Sequence, residues 1–100
     1  MSANQTEEKI VIALQPPKMW KVILLNDNQT PMDFVIELLT EIFKHDQISA
    51  ESITLEIHNT GSGVAGVYPY EIAEQKSLEA TNIARSNSFP LRIQVEESDE

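Results

Sequence analysis

Cysteine is absent from the 100 residues. That excludes a disulfide framework, a thiolate zinc site and a thiol nucleophile, and it suits a reducing cytosol. Positive charge is scarce as well. Seven Lys and Arg stand against sixteen Asp and Glu, a formal net charge of -9. This balance argues against nucleic acid or an anionic membrane as a main partner, and favours cationic or mixed-charge protein surfaces. No apolar run approaches the length needed to span a bilayer. The polar stretch from Met1 to Ile10 lacks the apolar segment of a signal peptide. The sequence therefore reads as soluble and cytoplasmic. No G-x-S-x-G motif is present, and His45 and His58 are not spaced as ligands on one helix, so neither a hydrolase nor a metal site is indicated. What the chain does have is 41% hydrophobic residues, enough for one domain with a modest core. A domain of this size hides roughly two-thirds of its unfolded surface.

Its elements follow from periodicity and punctuation. Residues 1–17 read as a flexible arm, with Pro16-Pro17 as a stiff joint. Met19 to Leu25 is a strand, and the unbroken run Val22, Ile23, Leu24, Leu25 suits a central or helix-covered one. Phe34, Val35, Leu38, Leu39, Ile42 and Phe43 recur at helical spacing and predict a helix from about Pro31 to His45. Residues 46–58 stay open between strand and helix. Ile53, Leu55 and Ile57 alternate, whereas Ala50, Ile53 and Ile57 share a helical face, with Asp46 or Ser49 as a cap. Asn59 to Gly63 is a turn with C-cap character. Val64 to Tyr68 is a short strand in which Gly66 permits a bulge or a close approach. Pro69 opens a helix from about Tyr70 to Ser86, with Ile72, Ala73, Lys76, Ala80, Ile83 and Ala84 along one side. Leu91, Ile93 and Val95 alternate with polar residues as a half-buried strand, and 96–100 read as an acidic tail. Three strands and two or three helices make a two-layer α+β sandwich.

Chemistry concentrates between the first strand and the first helix, in Leu24-Leu25-Asn26-Asp27-Asn28-Gln29-Thr30-Pro31-Met32-Asp33-Phe34-Val35. Thr30 is suited to cap the helix, Pro31 to its first position, and Asp33 to reach back to the cap. Asn26, Asp27 and Asn28 supply acceptors, and Met32 a flexible apolar lid. The combination fits a ligand with one cationic and one apolar end. It is also ordinary turn and capping chemistry.

These residues carry a resemblance. Pro16-Pro17, Lys21 to Asp27 and Thr30 to Val35 resemble the ClpS family. Ile57-His58, Gly66-Val67, Glu71-Ile72-Ala73-Glu74 with Lys76, Ala84-Arg85 and Pro90-Leu91 follow in the same order and spacing. The resemblance spans about residues 16–95. It implies a β-α-α-β-α-β fold, a three-stranded antiparallel sheet on three helices, in a domain from 18 to 95, with residues 49–58 helical. It implies an adaptor rather than an enzyme, without cofactor or metal and working as a monomer. Such adaptors bind proteins that begin with a destabilising residue, chiefly Leu, Phe, Tyr or Trp. They pass them to the N-terminal domain of a Clp AAA+ unfoldase, ClpA or ClpC.

The resemblance also assigns residues. Asn26 and His58 match positions that hold the substrate α-amino group, helped by those matching Asp27 and Asn28. Thr30, Met32, Val35, Thr54, Ile57 and Leu91 match the hydrophobic pocket, with Met32 as its gate. Glu71 and Lys76 match the face that docks on the unfoldase, and the arm matches the segment needed for delivery. Two departures stand out. The family commonly has a second acid at Asn28, and often a methionine at Thr54. The second is expected to enlarge or polarise the pocket wall. Both motivate an alternative, a divergent paralogue that docks on the unfoldase with altered or lost N-terminal preference.

The chemistry is self-consistent. An α-amino group has a free pKa of about 7.7–8 and is mostly ammonium at neutral pH. Asn26, Asp27 and a neutral His58 imidazole offer acceptors for it. Each charged hydrogen bond nets about 1.5–3 kcal/mol, and burying a Leu or Phe side chain adds about 1.5–3 kcal/mol. Association costs several kcal/mol. The balance allows low-micromolar binding. A small hydrolase using Asp27 and His58 is the competing class, with no oriented triad to support it.

Overall fold

An apolar run with no polar relief needs cover along its length, and Val22-Ile23-Leu24 finds it at the centre of a sheet. The computed structural model describes residues 16–99. They form β1 (Met19–Leu25), α1 (Met32–Glu41), α2 (Gln47–Thr60), β2 (Ser62–Pro69), α3 (Tyr70–Ser86) and β3 (Arg92–Glu97). The sheet is antiparallel with β1 between β2 and β3. This is the expected α+β order. The arm proposed for residues 1–17 falls almost wholly outside the described residues.

Residues 46–58 are resolved in favour of helix. The Asp46 side chain accepts the Ser49 N–H at 2.7 Å and caps α2. Ala50, Thr54 and Ile57 are its buried residues, spaced four and three apart, whereas Leu55 is exposed. The apparent alternation through Leu55 was coincidental. At the far end Gly61 adopts φ 98° and its N–H returns to the Ile57 carbonyl at 2.9 Å. That left-handed turn suits glycine.

Several boundaries differ from expectation. α1 stops at Glu41, although Ile42 and Phe43 beyond it are buried. Lys44 at φ 62° turns the chain out of the helix. β2 is longer than Val64 to Tyr68, running Ser62–Pro69 with a bulge where Val22 pairs Gly66 and Ile23 pairs Val64. β3 extends to Glu97, so Glu96 and Glu97 are strand rather than tail. Glu96 pairs across from Lys21, and Glu97 lies 3.2 Å from the Lys18 ammonium. Those cations favour acids there.

α3 starts and stops as expected but buries a narrower stripe. Ala73, Ala80 and Ala84 are fully buried, while Ile72 and Ile83 are exposed. Small side chains let the helix axis approach the sheet closely, and the larger residues are pushed to its flanks. The core between the layers is Val22, Leu24, Leu38, Leu39 and Leu91 with these alanines.

Candidate functional site

The site grows from the point where β1 runs out. Asn26, the first residue past the strand, donates its backbone N–H to the Gly61 carbonyl at 2.9 Å. That bond staples the end of β1 to the end of α2. Gly63 allows the same approach from the β2 side: a Cβ there would meet Ile57 Cγ1 at 2.8 Å. His58 lies on the last turn of α2 and is exposed. The side chains of Asn26 and Asn28 are exposed too. None of these three side chains is hydrogen-bonded to another described residue. Their lone pairs are available to an incoming donor.

Asp27 behaves differently. Its carboxylate accepts the Gln29 N–H at 2.8 Å, the Thr30 N–H at 2.7 Å and the Thr30 hydroxyl at 2.7 Å. Burial alone would raise its pKa. The three hydrogen bonds oppose that, joined by the Arg85 cation acting through space, and together they hold the carboxyl below its ordinary value. Asp27 therefore carries a charge and shapes the loop at once.

This loop corrects the capping expectation. Thr30 does not cap α1, because its hydroxyl is engaged by Asp27. Pro31 occupies the cap position with no side-chain cap bond, and Asp33 does not reach back. The Pro31 carbonyl instead accepts from Phe34 at 3.1 Å and Val35 at 3.2 Å. Asp33 still adds an acid to the first turn, where the helix dipole favours it.

Of the expected pocket residues, Val35, Thr54, Ile57 and Leu91 are buried. Thr30 is half-buried and Met32 is exposed, as a residue at a surface opening can be. The Thr54 hydroxyl donates to the Ala50 carbonyl at 2.8 Å, so its proton is committed within its own helix. A separate cleft of about 120 Å³ is lined by Phe34, Glu37, Leu38, Glu41, Ile42 and Ile83. It contains none of the expected site residues.

The expected docking pair lies elsewhere. Glu71 is exposed in the first turn of α3, near the opposite end of β1, where Trp20 and Tyr70 meet edge to face at 4.8 Å. Lys76 is not simply solvated. Its Nζ donates to the Ile42 carbonyl at 2.8 Å and lies 5.4 Å from the Tyr68 ring centroid. It thus closes the C-terminal end of α1, where a cation is favoured. Gly66 makes room for that ring, since a Cβ there would run into the Tyr68 hydroxyl and ring edge.

Sequence reasoning gave two residues no role that the structure gives them. The His45 ring nitrogen Nε2 lies 2.5 Å from the Ala65 carbonyl, tying the α1–α2 loop to the β2 bulge. Arg85 bridges two backbone carbonyls after α3. The only sequence signal for Arg85 was a cation in a last helical turn. Among the described residues no three His, Cys, Asp or Glu are grouped to hold a metal. No described helix is long and apolar enough to cross a membrane.

Comparison with known proteins agrees with this architecture. The family model described as ATP-dependent Clp protease adaptor protein ClpS matches residues 15–94. The chain is 46% identical over 97 residues to the ATP-dependent Clp protease adapter protein ClpS of Shewanella denitrificans, covering 97% of this chain and 95% of that one. It is 48% identical over 95 residues to the protein of that name from Shewanella pealeana, covering 95% and 93%. The structure of Agrobacterium tumefaciens ClpS2 bound to L-phenylalaninamide is similar at a TM-score of 0.79 and 36% identity, covering 83% of this chain and all of that one. A match over four-fifths of the sequence, with the same fold, is decisive: the chain belongs to the ClpS family of Clp protease adaptors.

Proposed function

We propose that this adaptor binds protein substrates by a bulky hydrophobic first residue, Leu, Phe, Tyr or Trp, and delivers them to the N-terminal domain of a Clp AAA+ unfoldase, ClpA or ClpC. The observation that carries the reading is the stapled corner. Unpartnered Asn26, Asn28 and His58 side chains and an ionised Asp27 share one end of the sheet, with buried apolar residues beside them. Phenylalaninamide, the molecule bound to the Agrobacterium relative, has a free α-amino group, an aromatic side chain and an amide in place of the carboxylate. Those are the groups a protein presents at its beginning.

In this mechanism the α-ammonium donates to the Asn26 side-chain oxygen and the His58 ring nitrogen. Asp27 and Asn28 add negative potential and an amide acceptor. The first side chain enters past Met32 and meets Thr30, Val35, Thr54, Ile57 and Leu91. Acetylation removes the charge and leaves the acceptors without their cationic partner. Glu71 and Lys76 act on the unfoldase side, away from the substrate end. No bond is made or broken, so the role is that of an adaptor and not an enzyme, in the cytoplasm with the protease.

Fluorescence anisotropy over peptides with each of the twenty first residues tests this. Phe, Leu, Tyr and Trp are expected to bind at low micromolar Kd, and acetylation to weaken binding by about tenfold or more. Equal affinity for free and acetylated peptides overturns the reading. Asn28 and Thr54 favour one variant of it, a paralogue with a changed preference. The same panel would then show a different set of first residues, each still requiring a free amine.

A further inference from the structure

The turn that follows α3 is tightly specified. The Phe89 N–H returns to the Ala84 carbonyl at 2.9 Å and the Ser88 N–H to the Arg85 carbonyl at 2.9 Å, with Ser88 at φ 63°. This is the paired bonding of a Schellman turn, with a serine in the left-handed position where glycine is usual. The Arg85 guanidinium closes the turn from outside. One nitrogen, Nη1, donates to the Phe89 carbonyl at 2.9 Å and to the Leu91 carbonyl at 2.8 Å. The Phe89 ring then meets Phe34 of α1 edge to face at 4.8 Å.

Two consequences meet at one side chain. Leu91 is almost fully buried and precedes β3, so its backbone position is set by whatever holds its carbonyl. Arg85 holds it. The same guanidinium is near enough to the Asp27 loop to favour a charged carboxylate there, without a direct ion pair. A neutral residue at 85 would keep neither effect. A lysine would keep the charge, but an ammonium lacks the rigid planar fork of guanidinium.

We propose that Arg85 is a positioning residue for recognition of the substrate's first residue, clamping Leu91 at the pocket wall. This rests on the reading given under the proposed function. Arg85 itself does not touch the substrate. Its clamp governs the shape available to the first side chain.

The test compares the unsubstituted protein with Arg85→Met and Arg85→Lys at pH 7, using labelled peptides that begin with Phe or Leu. Arg85→Met is expected to bind the Phe peptide about five- to twentyfold more weakly. Its Phe-to-Leu affinity ratio should change. Arg85→Lys should also show an altered ratio, because an ammonium cannot reproduce the planar clamp. A merely structural role would lower both affinities together and leave the ratio in place; that result overturns the proposal. Should Arg85→Met fail to fold, an unchanged Phe-to-Leu ratio in Arg85→Lys overturns it equally. Failure of the unsubstituted protein to bind either peptide overturns the underlying reading, and this role with it. Normal binding there with unaffected variants removes the Arg85 role alone.

Discussion

Asp27 accepts three hydrogen bonds from a loop that would otherwise leave its N–H groups to water, so its ionisation and the loop's shape are one property. Its folded-state pKa lies below the ordinary 3.8. A group depressed in the folded state stabilises the fold above its unfolded pKa, and that contribution disappears as pH falls through the folded value. Asp27→Asn is therefore expected to be less stable than the parent in urea at pH 7, with the gap narrowing as pH falls below 3.8. A gap that stays constant across that range removes the argument. At this scale the sequence was legible in part. Short polar residues between a strand and a proline announced acceptors in a turn. Which oxygens the loop uses for itself was hidden, because it depends on the path of three residues. Thr30 looked like a helix cap and is a partner of Asp27; Thr54 looked like a polar intrusion and bonds to its own helix.

Among the elements, α1 is held at its end by a residue 34 positions away, Lys76 on α3, through the Ile42 carbonyl. Glu71, on the same helix, has no such task. The two members of the expected docking pair should thus separate experimentally. Lys76→Met should lower folding stability by about 1 kcal/mol, from one hydrogen bond to a charged donor and a partly exposed ring contact. Glu71→Gln should leave thermal stability unchanged and weaken binding to the unfoldase N-terminal domain. Equal melting temperatures for Lys76→Met and the parent would show that its contacts contribute nothing. Element types were legible wherever periodicity was long: α3 was read at about its observed span, and the unbroken apolar run of β1 suggested a central or helix-covered strand, which it is at the centre of the sheet. Ends were less so. Lys44 in the left-handed region and Lys76 as a remote cap both stop α1 early, and neither leaves a mark in local sequence. α2 escaped periodicity because Ile53 and Ile57 fitted both templates until Leu55 was found outside.

On the whole-molecule scale the net charge of -9 sets the type of surface this chain can approach. The docking on an unfoldase domain proposed above should be steered by this charge and screened by salt. Raising the salt from 0.05 to 0.5 M, which shortens the screening length from about 14 to about 4 Å, is expected to slow association several-fold with little change in dissociation. Stopped-flow measurement with an unchanged association rate would leave apolar contact as the main term. Fold class was legible at this scale, since three strands with two or three helices in this order allow few two-layer arrangements.

The Ser98 N–H donates to the Met19 carbonyl at 2.8 Å, so entry to and exit from the folded unit are neighbours. β1 leads away from that point for seven residues before reaching Asn26, a span of roughly 20 Å. A fluorophore placed at Lys18 or Ser98 would therefore sit at that far edge, away from the corner where Asn26 and His58 sit.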